Sequence, residues 1–138
     1  MSIVLGYDES PGARRALSVA IEVAASFGEP LVLVYGAAAP GSLGEEYQAH
    51  RDALHQAGRV ALDHALQEAE QAGVPATVEI IDRKPAQALI DAASRHDARF
   101  IVVGTWGESP MRGVLLGSTP HKLLHLSSTP VLCVPIEH

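Results

Sequence analysis

Phe100-Ile101-Val102-Val103-Gly104-Thr105-Trp106-Gly107, then nine residues, then Gly117-Ser118, is the stretch on which the fold turns. Phe100 to Val103 is continuously apolar, which predicts a central parallel strand covered on both faces. A glycine-dotted loop follows, and Ser118 reads as the cap of a last helix running through Leu126. Glycines at such a turn let backbone amides approach an anion with no Cβ in the way. The free N–H groups at the start of the Ser118 helix, with its dipole, favour a phosphate, and Ser118 and Thr119 add hydroxyl donors. A glycine-rich connection that holds no ligand fits the same residues, so both readings stand at this point.

Outward from that stretch, short β-like runs alternate with helical ones. Ile3 to Tyr7 reads as a strand and Pro11 to Phe27 as a helix, with Leu17, Ile21 and Ala24 on one face. Ser10 before Pro11 is a natural N-cap, and Gly28 ends the helix. Leu31 to Tyr35 is a second strand. A loop rich in Gly, Ala and Pro leads to the longest helix, about Glu45 to Ala72, whose apolar stripe is Leu54, Ala61, Leu62, Ala65 and Ala69. Thr77 to Ile81 alternates as a less covered edge strand does. Pro85 opens a helix carrying Leu89, Ile90 and Ala93, and Val131 to Val134 closes the series between Pro130 and Pro135. The order βαβαβαβαβ predicts a parallel sheet with helices on both faces, in one domain over residues 1–138.

Composition narrows the function classes. The chain has 138 residues, 47% of them apolar but only 4% aromatic, so its core must be built mostly of Ala, Val, Leu and Ile. A formal charge of -6 with no run of Lys or Arg argues against nucleic acid as a partner, since phosphates need a basic stripe. The single cysteine, Cys133, has no partner for an internal disulfide and fits a reducing compartment. With no leader-like start and no apolar run long enough for a bilayer, the expectation is a cytoplasmic protein that does not engage a membrane.

The spacing Gly104-x2-Gly107-x9-Gly117-Ser118 resembles the nucleotide signature of the universal stress protein family, in its ATP-binding branch. The opening Val4-Leu5-Gly6-Tyr7-Asp8-Glu9-Ser10 resembles that family's first strand and aspartate. The closing Pro130-Val131-Leu132-Cys133-Val134-Pro135 resembles its last strand. The resemblance implies a five-stranded parallel sheet of order 3-2-1-4-5, a Rossmann-like fold of the adenine nucleotide alpha hydrolase-like kind. In that order the connections leave strands 1 and 4 in opposite directions, and ligands of open α/β sheets sit at this switch point. Asp8 follows strand 1 and Gly104 follows strand 4, so the two motifs converge on one crevice.

The resemblance also implies a residue-by-residue site for ATP, with Mg²⁺ or Mn²⁺ carried through the phosphates. Asp8 and the backbone at Gly6 face the adenine and ribose, with Tyr7 between them among the binding residues, and Gly36 borders the adenine. The segment Gly104, Thr105, Trp106, Gly107, Glu108, Ser109 and Pro110 wraps ribose and phosphates. Gly117, Ser118, Thr119 and Pro120 close on the outer phosphates. Asp8 has a second reading as a cap of the next helix beside Ser10. Gly36 gives adenine no side chain, and Glu108 sets a negative charge near a triphosphate. Both support an alternative: a non-catalytic dimeric interaction protein with weak or absent nucleotide binding.

Signatures of catalysis are missing. There is no Gly-x-x-x-x-Gly-Lys-Ser/Thr, Gly-x-Gly-x-x-Gly, Gly-x-Ser-x-Gly or His-Glu-x-x-His, and no acid–base pair placed to activate a water. His121 and His125 share a helix face without a third ligand, which reads as two solvated histidines rather than a metal site. The expectation is a binding protein with no dedicated catalytic set, slow ATP hydrolysis remaining compatible with it. Val131 to Val134 is apolar yet ends the sheet, and an apolar edge strand invites pairing. A homodimer through this strand follows, by two-fold pairing and by family resemblance alike.

Overall fold

A computed structural model describes residues 1–39, 44–105 and 117–136. Its elements are β1 (Ser2–Gly6), α1 (Pro11–Phe27), β2 (Leu31–Gly36), α2 (Glu45–Gln71), β3 (Ala76–Ile81), α3 (Pro85–Arg95), β4 (Ala98–Gly104), α4 (Ser118–Leu126) and β5 (Val131–Val134). The five strands form one parallel sheet in the order β3-β2-β1-β4-β5, as expected. The chain runs outward from β1 through β2 to β3, crosses back, and runs the other way through β4 to β5. The two directions part between β1 and β4, whose last residues are Gly6 and Gly104.

Strand alternation divides the core in two. Ile3, Leu5, Leu31, Leu33 and Val102 face α1 and α2, whereas Val4, Val32, Val34, Ile101 and Val103 face α3 and α4. All ten are buried, which only a strand covered on both faces permits. The helices meet this sheet through small residues. Gly12, Ala13, Ala16, Ala20 and Ala24 of α1, and Ala86, Ala88, Ala92 and Ala93 of α3, are buried with one leucine each, Leu17 and Leu89. Small side chains bring helix axes close to the sheet, so a core nearly free of aromatic rings is filled by proximity.

Helix ends follow their local chemistry. Ser10 caps α1, its Oγ accepting from the Ala13 N–H at 3.2 Å, with Pro11 in the first turn. Gly28 ends that helix in the left-handed region, φ 65°, where a Cβ would be strained. Helix α4 departs from expectation. Its N-cap is Gly117, and Ser118 is its first helical residue with no side-chain cap bond. Capping needs the extended backbone that Gly117 has (φ -66°, ψ 169°), so the Ser118 hydroxyl is left for other work. Among the described residues no helix is long and apolar enough to cross a membrane.

Candidate functional site

The C-terminal ends of β1, β2 and β4 open into a crevice of about 380 Å³, within the usual range for small-ligand sites. Most of the residues singled out from the sequence line it: Gly6, Tyr7 and Asp8 from β1 and its turn, Gly36 after β2, Gly104 at the end of β4, and Gly117, Ser118, Thr119 and Pro120 opening α4. Thr105 is not in the lining. Its N–H donates to Val134 O at 3.0 Å, and its carbonyl accepts from the Gly117 N–H at 2.6 Å. That second bond pins the start of α4 to the end of β4. Trp106, Gly107, Glu108, Ser109 and Pro110 lie outside the described residues.

Asp8 borders the crevice but does not cap α1. Its Oδ1 accepts from the Ser10 N–H at 3.0 Å, closing an Asx-type turn before α1, while the exposed carboxylate borders the crevice. Ser10, not Asp8, is the helix cap. Tyr7 lines the crevice, and its ring is buried to 4% exposure in the core under α1 and α2. Burial raises the phenol above its ordinary pKa, and the charges of Glu9 and Glu68 add to the shift, so it stays a neutral hydroxyl beside Arg14. The Tyr7 N–H is committed to Val34 O at 3.0 Å.

The glycines divide by cause. A Cβ on Gly6 would stand 2.9 Å from Leu89 Cδ1 and 3.4 Å from Val103 Cγ1, both crevice residues, so glycine there keeps the crevice open. A Cβ on Gly104 would meet Gly12 C and O at 2.7 Å, and one on Gly36 would meet Pro85 Cα at 2.8 Å. These two positions are glycine because backbone of α1 and of the turn before α3 passes directly over them. The sequence reading explained Gly104 by approach to an anion, and the fold supplies a packing reason that acts with no ligand present.

At the α4 end the first two N–H groups, of Ser118 and Thr119, carry no partner among the described residues, and Pro120 has none to offer. With the hydroxyls of Ser118 and Thr119 they make a cluster of donors at a positive helix end. Among the described crevice residues Asp8 is the only charged side chain, and none is a histidine. The described lining combines an apolar face with a cluster of donors at one end, and no paired acid and base is found among its described residues.

Seven crevice residues escaped the sequence reading: Ser10, Ala13, Val34, Tyr35, Pro85, Leu89 and Val103. Val34, Tyr35 and Val103 adjoin recognised positions at strand ends and were within reach. Pro85 and Leu89 reach the site only through the crossover of α3, which no local pattern announces. His121 and His125, expected as surface residues, are exposed and stack edge to face with ring centres 4.7 Å apart.

Known proteins agree with this architecture. A model of the universal stress protein family matches residues 1–135. A universal stress protein of Thermus aquaticus is 32% identical, covering 96% of this chain and 97% of its own. A Lactobacillus plantarum universal stress protein structure superposes with a TM-score of 0.84 at 20% identity, covering 96% and 97% of the two chains. A universal stress protein solved in complex with cAMP is 26% identical, with a TM-score of 0.76 over 99% and 98% of the chains. The chain belongs to the universal stress protein family.

Proposed function

We propose that this protein is a non-catalytic adenine nucleotide module that takes ATP in the crevice between β1 and β4, and signals its nucleotide state, in stress response, as a dimer in the cytoplasm. The observation that carries the reading is the meeting of two sequence-distant motifs, Gly6–Asp8 and Gly117–Pro120, in the lining of one crevice at the switch point. Adenine and ribose lie toward Asp8, Gly6 and Gly36, and phosphates toward the N–H and hydroxyl donors of Ser118 and Thr119. Gly104, Thr105, Trp106, Gly107, Glu108, Ser109 and Pro110 are proposed to border ribose and phosphates. Mg²⁺ or Mn²⁺ rides on the phosphate oxygens, and Asp8 is the one acidic group that the described lining offers it. A family relative at 26% identity holds cAMP, which supports the nucleotide class.

The absence of a paired acid and base among the described crevice residues favours binding over turnover. The dimer rests on β5, a four-residue strand at the sheet edge between Pro130 and Pro135. Leu132 there is 36% exposed, and Leu124 and Leu126 of α4, which packs beside it, are 53% and 65% exposed. Exposed leucines on and beside an open edge strand suit pairing with a second copy. The same exposed edge favours the alternative, an interaction protein that scarcely uses nucleotide.

Titration calorimetry with ATP, ADP, AMP and cAMP, with and without Mg²⁺, separates the two. The expected result is saturable binding that Gly117→Leu abolishes without unfolding, because φ -66° at Gly117 admits any residue while a side chain there takes up crevice space. No heat with any of the four, and an unshifted melting temperature, rejects the nucleotide reading.

A further inference from the structure

Helix α2 carries a glycine in its interior, Gly58, where only proline is less favoured. The reason is a tyrosine ring. A Cβ on Gly58 would stand 2.7 Å from Cδ1 of Tyr35, 3.0 Å from its Cγ and 3.2 Å from its Cε1. Tyr35 therefore packs its ring directly against the bare backbone of α2 at Gly58. Its Cα is held in the sheet opposite Ile80, so the ring cannot retreat by moving the strand.

Tyr35 stands between two spaces. On one side is the crevice of about 380 Å³, and on the other a hollow of about 610 Å³ between α2 and the turn after β1, lined by Gln56, Ala57 and Val60. Tyr35 and Asp8 are the residues common to both linings, so they form the partition. The hollow's far wall is tied in place. Glu9, held in the left-handed region at φ 64°, pairs its carboxylate with His64 of α2. Nothing else among the described residues bounds both spaces.

We propose that Tyr35, seated by Gly58, is the specificity-determining wall of the nucleotide crevice: it closes the site off from the α2 hollow and restricts the ligand to adenine nucleotides with no bulky substituent on the edge facing α2. This rests on the nucleotide reading given above. Tyr35 restricts by volume, since its ring fills the gap between the two spaces as the described residues bound them. Gly58 is a positioning residue. A methyl group there forces the ring off the helix, and with the strand fixed the ring swings into the crevice, where it takes up space that ATP would use.

The test uses ATP and two bulky analogues, one substituted at N6 with benzyl and one carrying an anthraniloyl group on the ribose 2′/3′ oxygens. Affinities are measured for the wild type, Tyr35→Ala, Gly58→Ala and the double variant, with circular dichroism as the check on folding. The wild type is expected to bind ATP and discriminate against both analogues. Tyr35→Ala should shift the ratio of analogue to ATP affinity by at least about tenfold for one of them, the scale that a filled or vacated apolar space confers. Gly58→Ala should weaken ATP about fivefold, and the double variant should return to the affinity of Tyr35→Ala, because the methyl then has no ring to displace. An unchanged ratio in Tyr35→Ala, with ATP bound normally by the wild type, overturns this inference alone. Independent effects in the double variant remove Gly58 from it. A wild type that binds no nucleotide overturns the reading of the crevice and this inference with it. Should Gly58→Ala fail to fold, the ratio in Tyr35→Ala decides.

Discussion

Replacing Gly104 by alanine asks whether that glycine serves the ligand or the fold. The new Cβ would lie 2.7 Å from both C and O of Gly12 and 3.1 Å from its Cα. Ordinary contacts begin near about 3.4 Å, so the first turn of α1 must shift away from β4 by roughly 0.7 Å. All three atoms are backbone, and α1 is anchored by five buried small residues and Leu17, so no side chain can rotate to relieve the clash. Overpacking a rigid core costs about 1–3 kcal/mol, and a backbone clash belongs at the upper end, about 3 kcal/mol. Unfolding entropy near about 2.1 cal/mol/K per residue gives about 0.3 kcal/mol/K for a chain of 138 residues, so the melting temperature should fall by about 10 °C. The assay is thermal denaturation followed by circular dichroism, without nucleotide and at one fixed protein concentration. Gly28→Ala is the comparison, because its φ of 65° is unfavourable but no atom lies within 4 Å of its Cβ, which limits the loss to about 1–2 kcal/mol. If Gly104→Ala melts within about 2 °C of the wild type, the packing account of this glycine is wrong, and ligand approach regains its claim.

Ser10→Ala removes the cap of α1 and should cost about 1–2 kcal/mol in urea denaturation without ligand, since the freed Ala13 N–H is buried. Acid should weaken the β3 side of the sheet. The His55 and Arg51 side chains hold the Asp82 carboxyl below its ordinary value; at Glu79, burial pushes upward but Arg95 and His96 together outweigh it and the pKa is lowered. Carboxyls depressed in the fold contribute stability that is fully present above their unfolded values and lost as pH falls through the folded ones. Melting temperature should therefore drop below about pH 4, and Glu79→Gln should flatten part of that drop. Leu132→Lys charges the edge of β5, and light scattering should then report the monomer mass where the wild type gives twice that value. A wild type already monomeric at micromolar concentration removes the dimer proposal.

Local chemistry determined the elements. Ser10 with Pro11 started α1, Gly28 stopped it, and the unbroken run Phe100–Val103 announced a strand buried on both faces, because caps and side-chain periodicity act over one or two turns of chain. The strand order came through family resemblance, which also brought Asp8 and Gly104 to the same crevice.

Only the tertiary structure decided what lies across from what. That Gly104 faces the backbone of Gly12, that Gly36 faces Pro85, and that Gly58 makes room for the Tyr35 ring are contacts between elements far apart in the chain. An isolated glycine reads the same whether it bends a loop, admits a ligand or clears a path for another backbone. The neighbour that distinguishes these causes is chosen by packing, after the helices have settled on the sheet. Ser118 moved from cap to first helical residue for a related reason: the bond from the Gly117 N–H to Thr105 O sets where α4 begins, and that bond exists only once β4 and α4 have met.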